Sequence, residues 1–547
     1  PVARIPGLAV SDGGSRTYPF ERVPVEVPRD TLPSPLAVDD SITIQVDGVA
    51  CHLIGRERDR VFGDGERRLP DGTTVVSSGD AAKRAAFLES HPSLHAAALR
   101  GTGDDRGGYR DGDRVGETGA EGSHEHTLRG LRGSQTRRLD TGLVDVIDPE
   151  PGTDAHLTID CLLQARVQAT MSRELGLAVV QPWHAQESAT QSPGTLLNGA
   201  AVILDIDTAE ILAMVSTPTF TRDQLRDNPE WVYGDVVNTP FLNRAVAKPY
   251  PPGSIVKSLL LADAVTKGNF NLTQTIECSG HLLPDQPTIL RCWIYKRFQR
   301  THSAELGHDL SGREGIMCSC NIFFFTVARR MGVSDIVDTY RRFGVGTPFR
   351  LGVGLEYPGA LGSNGDGSDL ELPDAIQMGI GQGPVAWTPL HAANAMATLA
   401  RGGISLPPFI FRDSRRTPGT DLALDPAGID EAIEGLRLSV TEELGTGHHI
   451  TVDTVREPIF NAPDVKIWGK TGTAEAPDVF TDADGRDGPQ PKVLAEEGDH
   501  SWFVIMVGRD RPRYVISVVI DYGGSGGKVS GPICNQIIHA LIAEGYL

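Results

Sequence analysis

The sequence predicts a mixed α/β protein of two or more domains. Three observations carry this. The chain has 547 residues, more than one ordinary hydrophobic core organises. Its hydrophobic share is 39%, the level of a soluble globular protein. Strand-like alternation, as in Ile42–Val46 and Val465–Trp468, is interleaved with apolar runs of helical period.

The elements follow in order. Residues 1–40 are rich in proline and charge with little periodicity, and read as an extended arm or linker. Ile42-Thr-Ile-Gln-Val46 alternates like a strand. Residues 100–136 are crowded with glycine and charge, so a large ordered core is not expected there. Leu157-Thr-Ile-Asp160 reads as a strand ending in a helix cap, and the next helix places Leu163, Val167 and Met171 on one face. Residues 185–198 are polar and serine-rich and mark a domain boundary. The segment Pro477–Asp499 reads as a polar loop ahead of the strand Trp502–Val507.

Charge and hydropathy exclude some classes. The chain has 71 acids against 51 bases, a net charge of −20, which argues against nucleic acid as a partner. No run approaches the ~18 apolar residues of a membrane span.

The chemistry is concentrated in three short motifs. Tyr250-Pro-Pro-Gly-Ser-Ile-Val-Lys257 ends an extended segment and starts an apolar helix near Ser254. Positions i and i+3 share a helix face, so the Lys257 amine can reach the Ser254 hydroxyl. Free N–H groups at the helix start point toward a developing oxyanion. Ser319-Cys-Asn321 precedes the apolar run Ile322–Ala328, and Lys470-Thr-Gly-Thr473 ends a strand-like segment. The chain has only nine lysines, so two of them falling in these motifs is not a cheap coincidence. Ser319 could alternatively serve only as a helix cap, and Lys470 only as a solvated strand end. A second serine-x-x-lysine, Ser525-Gly-Gly-Lys528, lies among glycines and reads as a flexible turn.

The order serine-lysine, serine-x-asparagine, lysine-threonine-glycine resembles the penicillin-binding protein and serine β-lactamase superfamily. Gly199–Asp205 with Glu210–Ser216, Asn243-Arg-Ala245, Gly379-Ile-Gly-Gln-Gly383 and Trp387-Thr-Pro-Leu390 are similar to class B penicillin-binding proteins, monofunctional D,D-transpeptidases. Upstream, Tyr109–Gly116, Leu128–Gly133 and Leu157–Asp160 resemble their non-catalytic pedestal. The resemblance implies an elongated β-rich pedestal or dimerisation-type domain over 1–190. It implies a transpeptidase domain over 191–547, an antiparallel sheet flanked by helices. It also implies roles. Ser254 would be the nucleophile and Lys257 its base, depressed by burial and by Lys470 as second cation. Ser319 would relay a proton, Asn321 would hold a substrate amide, and Thr471, Gly472 and Thr473 would bind the substrate. The implied substrates are peptidoglycan stem peptides, with β-lactams as mimics. The implied place is the extracytoplasmic face of the membrane, through an N-terminal anchor absent from this chain. A membrane glycosyltransferase would be the pedestal's partner. Cys320 and Phe323–Phe325 favour the elongation type, similar to penicillin-binding protein 2. The alternatives are a division-type transpeptidase, a β-lactamase, and a penicillin sensor or non-catalytic scaffold.

Four of seven cysteines fall between Cys278 and Cys320. Cys278, Cys292, His308 and Cys320 make a set suited to tetrahedral Zn²⁺. Some elongation-type class B proteins carry a structural zinc beside the serine-x-asparagine motif, and Arg291-Cys-Trp293 and Gly307-His308 resemble their ligand segments. A disulfide or plain buried thiols are the competing readings.

Overall fold

The computed structural model describes residues 17–68, 74–100, 105–184, 191–414, 417–452, 454–482 and 492–547. It opens with an antiparallel pair. β1 (Arg22–Pro28) runs against β2 (Ser41–Asp47), with Val25 opposite Ile44. Within 1–40, then, the described part holds a strand where an arm was expected. The two prolines of β1 hid it. They are tolerated because a two-stranded ladder leaves an open edge. Val23, Val25, Val27, Ile44 and Val46 are buried on its inner face.

The segment after it replaces apolar packing with buried charge. Residues 105–136 include two short helices, Gly119–Ser123 and Glu125–Leu128. Asp113 is buried and receives Arg129 at 2.7 Å and also Arg132. Buried Arg106 reaches Glu150 at 3.0 Å. The local apolar cluster is small: Leu88, Ala97, Ala98 and Leu131. The expectation of no large core holds for apolar packing, and ion pairs supply the order instead.

α1 (Cys161–Thr170) begins at Asp160, whose side chain accepts the N–H groups of Leu162 and Leu163 at 2.9 and 3.1 Å. This is the cap the sequence predicts. β3 (Gly199–Asp205) and β4 (Ile211–Thr217) form the next hairpin. Then come α2 (Lys257–Thr266), α3 (Trp293–Phe298), α4 (Asn321–Arg342), α5 (Pro389–Ala400) and α6 (Pro426–Thr441). They are followed by β5 (Lys466–Glu475), β6 (Asp499–Gly508), β7 (Tyr514–Ile520) and α7 (Ser530–Ala543).

The central sheet has the order β4-β3-β7-β6-β5, antiparallel throughout. Every residue of β3 and β7 is buried. Side chains alternate between the two faces of a strand, so helices must cover both. α1 and α7 pack on each other and on the sheet, while α5 packs on β3 and β7 and α6 on β5 and α2. One hydrophobic cluster joins the valines of β1, Leu163 of α1, the sheet and Leu541 of α7. Pro477–Asp499 is not a plain loop. Val479–Asp482 pairs with Lys492–Glu496, and residues 483–491 lie outside the described set.

Candidate active site

The three motifs converge on a cleft of about 1200 Å³ whose walls include Ser254, Ser319, Asn321, Thr471 and Thr473. Ser254 lies in a 3-10 turn, Gly253–Val256, that runs directly into α2. The turn is locked from behind. Gly253 N–H donates to the Gly381 carbonyl at 2.8 Å, and Trp502 Nε1 donates to the Pro251 carbonyl at 3.1 Å. Gly381 has φ +73°, and a Cβ there would lie 2.1 Å from the Gly253 carbonyl oxygen. Only glycine fits that approach.

Lys257, one turn on, is fully buried. Its Nζ donates to Ser319 O at 2.9 Å, Ser319 Oγ at 3.1 Å and Asn321 Oδ1 at 2.7 Å. All three acceptors are neutral. Burial brings its pKa down to about 8, against the opposing pull of the cysteine sulfurs nearby. Lys470, also fully buried, donates to Thr471 O at 3.2 Å and Thr446 Oγ1 at 3.5 Å. Burial, and then the charge of Lys257, push its ammonium well below the usual lysine range. The two amines repel each other, and burial is the largest cause of the fall at both.

Ser319 sits between α4 and the helix before it with φ +55°. A serine in this left-handed region costs on the order of 1 kcal/mol. Its N–H bonds Ile316 O at 3.1 Å and Cys320 N–H bonds Gly315 O at 3.0 Å. The left-handed turn aims both oxygens of Ser319 at Lys257. β5 carries the third motif. Thr471 and Thr473 open on the cleft, and Gly472 between them lies opposite Trp502. A Cβ at Gly472 would stand 2.9 Å from that of Trp502 and 3.1 Å from Ile255 Cγ2.

Several residues escaped the sequence reading. Thr446 Oγ1 lies 2.6 Å from Thr471 Oγ1. Gln382 bridges Thr473 O and the Glu475 N–H at 3.3 Å each. Ser525–Lys528, read as a free turn, lines the same cleft, and Ser501 Oγ ties the Ser525 carbonyl down at 3.1 Å. Gln382 stood within a motif already singled out, whereas Thr446 belongs to no local pattern.

The cysteine cluster forms beside Ser319 with a different histidine. Cys278, Cys292, His302 and Cys320, all buried, bring their donor atoms within 4.8 Å of one another. His308 is exposed. Its Nδ1 lies 2.9 Å from Asp309 O and its Nε2 3.5 Å from Glu314. The reason is local. Thr301 caps the helix His302–Leu306, and Gly307 ends it at φ +78°. His302 thus starts the helix facing inward, and His308 lies beyond the stop. The seven cysteines are free, and Cys292 and Cys320 sulfurs stand 3.9 Å apart, not at a disulfide length of about 2.05 Å. His302 Nδ1 lies 3.4 Å from Cys292 Sγ and 3.6 Å from Cys278 Sγ. Ligands of tetrahedral Zn²⁺ are separated by about 3.8 Å (S to S) and about 3.6 Å (S to N), from bond lengths of ~2.3 and ~2.05 Å. The donors fit. Burial opposes ionisation of Cys292, but hydrogen bonds to Cys278, Cys320 and His302 outweigh it and hold the thiol well below its usual range.

The description "Penicillin binding protein transpeptidase domain" matches residues 199–539. The chain is 26% identical to the peptidoglycan D,D-transpeptidase MrdA of Acinetobacter baumannii over 78% of its length, and spans only 60% of that relative. It is 28% identical to the peptidoglycan D,D-transpeptidase PbpA of Mycobacterium tuberculosis, covering 75% of this chain and 77% of that one. Among solved structures, penicillin-binding protein 2 of Helicobacter pylori, in its complex with MreC, matches with TM-score 0.64 at 17% identity. That match covers 93% of this chain and 81% of the other. Penicillin-binding protein 2 of Pseudomonas aeruginosa matches with TM-score 0.59 at 23% identity, covering 79% and 85%.

Proposed function

The chain belongs to the penicillin-binding protein transpeptidase family, and on that footing we propose that it is a peptidoglycan D,D-transpeptidase of the elongation type. The observation that carries this is Lys257: a fully buried amine bonded to three neutral acceptors, with no carboxylate beside it among the described residues. Such a lysine is prepared to be a base rather than a cation.

Ser254 Oγ attacks the carbonyl between two terminal D-alanines while Lys257 takes its proton. The oxyanion rests on backbone N–H groups of Ser254 and Thr473. Ser319 passes a proton to the departing amine, and D-alanine leaves with an ester on Ser254. Asn321 holds a substrate amide, Thr471 and Thr473 bind the terminal carboxylate, and Lys470 ties Thr471 to Thr446 behind them. An amine of a second stem peptide then attacks the ester, and Ser254 recovers its proton as the new peptide bond forms. A β-lactam stops at the ester. Cys278, Cys292, His302 and Cys320 would hold a structural Zn²⁺ and so fix the turn that carries Ser319 and Asn321.

Residues 191–547 are the catalytic unit in this reading, and 1–190 a pedestal that engages a membrane glycosyltransferase. The pedestal would place the enzyme at the extracytoplasmic membrane face. No helix among the described residues is long and apolar enough to cross a membrane. The test is intact mass after incubation with a penicillin. One lasting adduct per chain, lost in Ser254→Ala, is expected. Fast hydrolysis without an adduct would make the protein a β-lactamase, and neither adduct nor hydrolysis would leave a scaffold.

A further inference from the structure

The cleft carries a group of cations that the reaction above does not use. Arg291 and Arg297 come from α3 and the residue pair before it, and Lys528 from the turn ahead of α7; all three line the cleft that holds Ser254. In a chain with 71 acids and 51 bases, such groups would ordinarily have acids nearby. Arg300 does, pairing with Glu305 at 3.2 Å. Arg456, on the far rim, pairs with Glu443 at 2.6 Å. Arg291 and Arg297 have no carboxylate within ion-pair distance among the described residues, and the ring contact of Arg297 is its neighbour Phe298, 5.4 Å away. Lys528 donates to a neutral acceptor, Trp183 O, at 3.1 Å. Burial first, and then the charge of Arg297, lower the Lys528 ammonium. Like charges lining one cleft are relieved by an anion between them. Four acids line this cleft, and each is placed away from the three cations or engaged: Glu305 holds Arg300 and Glu443 holds Arg456, while Glu475 and Asp499 are opposite each other at the ends of β5 and β6. Burial and then Glu475 raise the Asp499 carboxyl, and the charge of Lys296 opposes them, so Lys296 stands outside the group.

We propose that Arg297, with Arg291 and Lys528, forms a specificity subsite for a second carboxylate of the donor stem peptide, upstream of the scissile D-alanyl bond. The terminal carboxylate belongs to Thr471 and Thr473, so the subsite reads a different anion of the same peptide. A guanidinium takes a carboxylate through two parallel N–H bonds, whereas a carboxamide offers a single neutral acceptor. The subsite thus distinguishes a free carboxylate from its amide. Phe298, 55% exposed beside Arg297, supplies an apolar surface for the aliphatic part of the same residue.

This rests on the transpeptidase reading. The test uses two D-alanyl thioester donors, identical except for a carboxylate or a carboxamide on the acidic residue upstream. The parent chain should acylate about tenfold more efficiently (kcat/KM) with the carboxylate donor. Arg297→Gln should bring that ratio near one, with the loss confined to the carboxylate donor, and Arg297→Lys should restore part of it. Added salt should erode the preference in the parent. A parent without preference overturns the proposal. So does a ratio that survives both Arg297→Gln and Arg291→Gln, or an equal loss on both donors. If Ser254 of the parent is acylated by neither donor nor by a penicillin, it is the transpeptidase reading that fails.

Discussion

Lys257 sets a pH profile that can be worked out in advance. An amine with pKa about 8 is about one-tenth neutral at pH 7. One left at an ordinary value near 10.4 would be neutral in roughly one molecule in 2500. The fold thus raises the working base by about 250-fold at neutral pH. Below pH 7 the acylation rate should rise about tenfold per pH unit, bend near 8 and run level above it. Stopped-flow acylation with a fluorescent penicillin between pH 5.5 and 10 reads this directly. A level rate from pH 6 to 9, or a bend at 10 or higher, would refute the reasoning. The same drop has a stability cost. The unfolded chain holds the proton more tightly than the folded one, so the penalty begins below about 10.5 and is complete below about 8. A fall from 10.5 to about 8 corresponds to about 3 kcal/mol. Lys257→Met should therefore lose acylation by about 10³-fold or more yet melt no lower than the parent at pH 6. Its advantage over the parent should shrink toward pH 10.

Three further outcomes follow from the geometry. Gly381→Ala must move the Gly253 carbonyl, since its Cβ would lie 2.1 Å away; acylation should drop at least tenfold and the melting temperature should fall with about 1–3 kcal/mol of stability. His302→Ala should leave less than half an equivalent of zinc per chain by elemental analysis, while His308→Ala should keep a full equivalent; the reverse pattern would refute the ligand set. Asp521 accepts Lys248 at 2.7 Å and Arg244 at 3.0 Å with both Asp521 and Arg244 buried. Burial raises its carboxyl, but the two cations outweigh it and hold it well below the usual range. The pair's support is present above the ordinary carboxylate pKa and is lost as pH falls through the lower folded one. Asp521→Asn should cost about 3–5 kcal/mol at neutral pH in denaturant titration.

What the sequence made legible was local. Ser254 and Lys257 are one turn apart, Ser319 and Asn321 two residues apart, and Lys470 to Thr473 contiguous, so each motif could be read without the fold. The Asp160 cap and the Leu163, Val167, Met171 face were legible for the same reason. Failures came where a distant or opposing influence decided. Which histidine joins the cysteines depends on where Thr301 starts a helix and Gly307 stops it; spacing and the resemblance of Gly307-His308 favoured His308, whereas His302 lies with the cysteines. Thr446 meets Thr471 only because α6 and β5 pack together. The strand at Arg22–Pro28 was masked by prolines that are harmless at an open edge, and the order in 105–136 by a core made of Arg106, Asp113, Arg129 and Arg132 rather than leucines.

The family match begins at Gly199, but the oil that holds the sheet begins earlier. α1 covers β4 and α7, and the β1 valines lie against α1. A gene fragment started at Gly199 would encode every motif of the cleft and still expose β4, with its six buried residues of seven, to water. Such a fragment should express as aggregate. A soluble minimal enzyme has to begin before Arg22, keeping the first hairpin and α1 in the same polypeptide as Ser254.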